Sequence, residues 1–177
     1  MNHPIPLNPT NLRAMFCFLL LLSFQNAAAI ESLVGRPARI ISGNELVLLS
    51  SDGSIHRIRL NGIDTQPPNR PWGAAARRHL QSLVMGRSVR FIYQRDGLMD
   101  QISGRLTHGG ADINIRLLSA GLARFNPSEL SPADAEKYAQ AERQARAAGL
   151  GIWSSAGHEP QSHSRTLPGG PLFRIQQ

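Results

Sequence analysis

Between Val34 and Leu60 the apolar positions gather into clusters that predict three short strands. Leu46-Val47-Leu48-Leu49 is a continuous apolar run, and Ser51-Asp52-Gly53-Ser54 supplies the turn after it. Ile58 and Leu60 then alternate with Arg57, Arg59 and Asn61, the pattern of a strand with one buried face. Thr65 to Pro71 holds three prolines and no period, which predicts a loop. From Gly73 to Val84 the spacing turns helical, with Ala76, Leu80 and Leu83 on one stripe and Gly86 as the stop. Val89, Phe91 and Tyr93 alternate as a fourth strand, and Arg105 to His108 reads as a fifth before the Gly109-Gly110 turn. Two helices follow. Ile113 to Ala120 ends at Gly121; the last has Ser131 as N-cap, Pro132 at its first position and Asp134 closing a variant capping box, and it runs to about Ala148. Five strands with one helix inserted and two following predict an α+β domain: a five-stranded barrel of OB type with three helices beside it.

The two ends break this pattern. Ala14 to Phe24 is an apolar run of 11 residues, well short of the roughly 20 that cross a bilayer. Arg13 precedes it, and the small residues Ala27 and Ala29 follow at the spacing of a cleavage site. Residues 1–29 therefore read as an export signal, with cleavage after Ala29, a periplasmic or extracellular destination and no membrane span in the mature chain. The single cysteine, Cys17, lies inside that segment, so the mature protein is expected to have no disulfides. Residues 154–177 are rich in Ser, Pro, Gly and His without a period, which predicts a disordered tail and leaves 30–153 as the folded domain.

Charge adds a class of partner. The 177-residue chain has 19 Lys and Arg against 12 Asp and Glu, a net charge of +7, and all but Lys137 of the basic residues are arginine. A basic, arginine-rich monomer is expected to meet nucleic acid or another anionic polymer, although coding bias alone also yields arginine over lysine. At 41% hydrophobic and 18% charged the composition excludes a disordered or collagenous chain. His158 and His163 have no partners at zinc-ligand spacing, and there is neither a glycine-rich phosphate loop nor a Cys/His nucleophile pair.

Arg59-Leu60-Asn61-Gly62-Ile63-Asp64-Thr65 resembles the R-L-x-G-I-D-[TA]-P-E signature of the staphylococcal nuclease (thermonuclease-like) family. Gly73, Ala76, Leu80, Leu83 and Gly86 match that family's following helix, and Gly104-Arg105 matches its Y-G-R. Asn114, Leu117-Leu118, Gly121-Leu122-Ala123 and Gly149-Leu150-Gly151-Ile152-Trp153 match its C-terminal half, so the resemblance spans about residues 35–153. It implies calcium-dependent phosphodiester hydrolysis of DNA and RNA on an OB barrel. Two arginines suit such chemistry because their forked donors clamp the equatorial phosphate oxygens. Carboxylates hold the hard cation, and a glutamate aligns or deprotonates the attacking water. By resemblance Arg59 and Arg105 are the clamp, Asp64 is one metal carboxylate and Thr65 supplies a backbone carbonyl to the metal.

Two positions depart from the family. Its D-G-D-T reads Ser42-Gly43-Asn44-Glu45, so the second metal carboxylate is the uncharged Asn44. Its P-E reads Gln66-Pro67, which puts proline in the general-base position, or Pro68 with the alignment slid by one. No Asp or Glu lies between Asp64 and Asp96 to replace it. Glu45 turning inward would restore a carboxylate, but neighbours on a strand point to opposite faces. The family's nucleotide-contacting aromatics are also missing, the chain reading Arg124-Phe125-Asn126-Pro127 there. Loss of a positioned base costs about 10²–10⁴ in rate. The expectation is an exported, catalytically degenerate relative that keeps an arginine clamp and binds nucleic acid weakly and without sequence preference. Two alternatives stand beside it: a slow metal-dependent endonuclease, with Ca²⁺ as cofactor, and an accessory protein of exopolysaccharide biosynthesis that holds an acidic polymer.

Overall fold

The computed structural model describes residues 30–94 and 101–154. The expected export signal, and all of the expected tail except Ser154, lie outside the described residues. Strands β1 (Ile30–Ile40), β2 (Glu45–Ser50), β3 (Ile55–Leu60), β5 (Val89–Gln94) and β6 (Gln101–His108) form one mixed sheet. β1 pairs antiparallel with β2 and β5, β2 with β3, and β5 with β6. A parallel pairing of β3 with β6 closes the sheet into a five-stranded barrel, which removes the exposed edges that an open sheet must protect. Two short ladders lie outside the barrel. β7 (Ala111–Asp112) folds back on β6, and β4 (Ile63–Asp64) pairs with β8 (Arg124–Phe125).

Alternation sorts the strand residues as the sequence predicts. Leu46, Leu48, Ile58, Leu60, Val89, Phe91 and Leu106 are buried in the barrel, while Glu45, Arg59 and Arg105 stand on the outer face. The fifth strand starts at Gln101 rather than Arg105. Gly104 interrupts its apolar alternation because the Ile92 carbonyl of β5 would lie 2.3 Å from any Cβ placed there. Glycine thus lets β5 approach and fixes the register that puts Arg105 outward.

Helices α1 (Pro71–Val84), α2 (Ile113–Ser119) and α3 (Pro132–Ala147) pack beside the barrel. In α1 the buried residues are Gly73, Ala76, Leu80 and Val84, with Leu83 only partly covered, so the apolar stripe follows the i, i+4 row through Val84. Asp112 caps α2 by accepting from the Ile115 N–H, and Ser131 caps α3 by accepting from the Asp134 N–H. Buried Tyr138 joins the two helices, donating its hydroxyl to Asp112 at 3.0 Å. Among the described residues no helix is long and apolar enough to cross a membrane.

Candidate functional site

Arg59 and Arg105 stand on neighbouring strands of the barrel's outer face. The parallel ladder makes Ser103 the partner of Arg59, and Arg105 lies two residues further along β6 on the same face. β3 then leads through Gly62, whose carbonyl accepts from Asn126 N–H at 3.0 Å, into Asp64 on β4. The structure therefore brings Arg59, Arg105 and Asp64 to one side of the molecule, and each arginine already has a carboxylate near it. Arg59 Nη2 lies 3.9 Å from Asp64 Oδ1, and Arg105 Nη1 lies 3.5 Å from Asp134 Oδ1. The arginine side chains keep 41% and 37% of their exposure. Ion pairs this open are worth about 0–1 kcal/mol and give way readily to a better anion.

Asn44 is held differently. Its Oδ1 accepts from the Ser42 hydroxyl at 3.0 Å and from the Thr65 hydroxyl at 3.2 Å, while its Nδ2 donates to the Ile63 carbonyl at 3.2 Å. A carbonyl only accepts, so the amide nitrogen must face Ile63, and this fixes the oxygen toward the two hydroxyls. Both lone pairs of that oxygen are in use. Gly43 allows the close packing, since a Cβ there would meet Ala76 at 2.6 Å and Thr65 at 2.8 Å. Asn44 thus acts as a clip between the β1–β2 turn and the segment that carries Asp64 and Thr65.

The other predicted residues take the following places. Asp64 is exposed, and its Oδ2 accepts from Asn126 Nδ2 at 2.8 Å. The Thr65 hydroxyl points to Asn44, and the residue lines a cleft of about 100 Å³ together with Asp64, Gln66, Leu122, Arg124 and Ile152. Glu45 is paired with Arg57 on the outer face, directly across the ladder from Arg59. Pro67 and Pro68 are exposed loop residues, and the Pro67 carbonyl receives the Arg70 N–H at the entry to α1.

A calcium ion asks for six to eight oxygens, usually including several carboxylates. Here Asp64 offers one carboxylate, already engaged by Arg59 and Asn126, and the Asn44 oxygen is spent on hydroxyls. Among the described residues no three His, Cys, Asp or Glu side chains cluster as a metal site. The residues present do not fit the calcium site that the resemblance implies.

Sequence reasoning missed four residues at this site, all supplied by β6 and the segment after β8. Asn126 fixes Asp64, and Asp134 meets Arg105 from the first turn of α3. Partial burial pushes the Asp134 carboxyl up, but the Ser131 hydroxyl, Lys137 and Arg105 together bring it below the ordinary range. Ser103 donates to the carboxylate of Glu129, whose carbonyl in turn accepts from Asn61 Nδ2 at 3.2 Å. Among the described residues Glu129 is the one non-glycine with a positive φ, 66°, a conformation that costs about 1 kcal/mol or more. Only the Ser131-Pro132-Asp134 cap carried a local signal; the contacts across the loop carry none.

A model of the staphylococcal nuclease homologue family matches residues 57–155. The chain is 30% identical over 130 residues to the thermonuclease of Staphylococcus intermedius, an overlap of 65% of this chain and 73% of that protein. It is 25% identical over 147 residues to a protein of Escherichia coli called an uncharacterized endonuclease, covering 80% and 91% of the two. A 38.1 kDa uncharacterized protein of Capnoides sempervirens is 31% identical over 133 residues, 73% of this chain, and the chain spans 37% of its length. The closed barrel with three helices and these matches define the class: the chain belongs to the staphylococcal nuclease family. Nucleases of this family are typically calcium-dependent.

Proposed function

We propose that the chain binds the phosphodiester backbone of nucleic acid at Arg59 and Arg105, without sequence preference, and has lost the family's calcium-dependent hydrolysis. Asn44 carries this reading. A metal ligand must offer a free lone pair, and Asn44 Oδ1 spends both on Ser42 and Thr65. Proline in the position of the general base removes the second catalytic element, since proline has no group that takes a proton from water. The clamp needs neither: two half-exposed guanidiniums on adjacent strands offer forked donors to phosphate oxygens, and their present partners are weak surface pairs. Export through the leader at 1–29 belongs to the same reading and places the ligand outside the cytoplasm.

The test is a titration of labelled single-stranded DNA and RNA with wild type and with an Arg59→Ala/Arg105→Ala variant. Loss of both charged donors is expected to weaken binding at least about tenfold. Equal affinity of the two proteins contradicts the reading, and a preference for an acidic glycan over either nucleic acid replaces the proposed ligand.

A further inference from the structure

A carboxylate repels phosphate, yet the first turn of α3 sets one against Arg105 and the loop before it sets another on Ser103, beside the arginine pair. Asp134 meets Arg105 from the start of α3. Glu129 accepts from Ser103, which is the ladder partner of Arg59 and lies two residues before Arg105 on the same outer face. With Asp64 beside Arg59, each guanidinium faces one carboxylate, Glu129 adds a third on Ser103, and Lys137 is drawn to Asp134 at 3.4 Å. The charge of the two arginines is thus offset by Asp64 and Asp134.

The three acids are not held alike. Asp64 is fixed by the β4–β8 ladder and by Asn126. Asp134 is fixed in the helix cap by Ser131 and Lys137. The Glu129 side chain is exposed, on a loop, and among the described residues is tied to a single neutral hydroxyl. Its backbone, by contrast, is pinned in the left-handed region by the Asn61 amide on its carbonyl. A pinned backbone with a weakly tied, charged side chain is a part that swings without the loop moving.

We propose that Glu129 is an internal competitor for the arginine pair. A phosphodiester engages both arginines when the Glu129 carboxylate leaves Ser103, and Glu129 thereby sets the affinity of the site and keeps a second phosphate from the Ser103 side. This rests on the reading of Arg59 and Arg105 as the phosphate-binding pair.

The test is fluorescence anisotropy with a labelled single-stranded oligonucleotide on the full chain. Glu129→Gln and Glu129→Gly are compared with wild type, glycine being free to keep the positive φ. Asp52→Asn is the control: it changes net charge equally, in the β2–β3 turn at the far end of those strands from Arg59. Both Glu129 variants are expected to bind about three- to tenfold tighter at low salt, the gain shrinking as salt rises. Asp52→Asn should stay within about twofold of wild type. A Glu129→Gln affinity no higher than that of the control overturns the proposal, as does a gain confined to Glu129→Gly. A gain that persists in the Arg59→Ala/Arg105→Ala background also overturns it, because the effect then does not pass through the arginines. The phosphate reading fails separately, when that double variant binds as wild type does.

Discussion

Asparagine has the shape of aspartate with one oxygen turned into a donor, and at position 44 that exchange decides what the turn can hold. The Nδ2 donor satisfies the Ile63 carbonyl, a partner that a carboxylate would repel. Asn44→Asp is therefore expected to destabilise the metal-free chain by about 1–3 kcal/mol, with calcium restoring part of the loss as a rise in Tm. Wild-type Tm should not respond to calcium; a calcium-dependent rise in the wild type contradicts the assignment of Asn44 as a clip. The loss of charge at Asn44 was legible in the sequence against the family pattern. Its spent lone pairs were not, because Ile63 and Thr65 lie 19 and 21 residues away. Glu129 was illegible for the same reason, its Ser103 partner being 26 residues away on β6.

Helix α2 is short, and polar contacts at its start hold it to the barrel beside Arg105. Asn114, fully buried, accepts from Leu106 N–H at 3.1 Å and donates to the Asn61 carbonyl at 2.9 Å. Asn114→Ala leaves those groups without partners and is expected to cost about 1–3 kcal/mol for each one that water cannot reach; urea unfolding reads it directly. Asp112 caps the same helix, and burial pushes its carboxyl above the ordinary range against the pull of Ile115 N–H and the Tyr138 hydroxyl. A raised carboxyl binds its proton more tightly in the fold, so its stabilisation is present at low pH and lost as pH rises through the raised value. Asp112→Asn keeps the cap and removes this penalty. The variant should match or exceed wild type in stability at neutral pH, with a flatter dependence from about pH 4 upward; a steeper dependence contradicts the assignment. Alternation and caps made most elements legible, because both are local. The β4–β8 ladder was not, since two residues carry no period and their partners lie some sixty positions apart in the chain. The early start of β6 was hidden by Gly104, whose missing side chain reflects packing against β5.

At the scale of the molecule a net charge of +7 suggests a strong polyanion binder, but carboxylates offset part of it at the site, with Asp64 against Arg59, Asp134 against Arg105 and Glu129 on Ser103. Charge count and site therefore predict different salt behaviour. Two phosphate contacts on a single strand give a slope of about −1.4 in log K against log salt. The Arg59→Ala/Arg105→Ala variant should lose that slope; a much steeper one, kept in the variant, would place binding on the general basic surface. The fold class was legible because six short motifs in order fix the barrel and its helices, whereas the state of the site depends on what the β8–α3 connection does in space. The most direct measurement is cleavage of labelled single-stranded DNA and RNA by residues 30–177 in Ca²⁺, Mn²⁺ or EDTA, with the Arg59→Ala/Arg105→Ala variant prepared identically. The account predicts binding without cutting beyond the level of that variant in any of the three. Metal-dependent cutting that the variant lacks would contradict it, and would mean that other groups have taken over from the missing carboxylates.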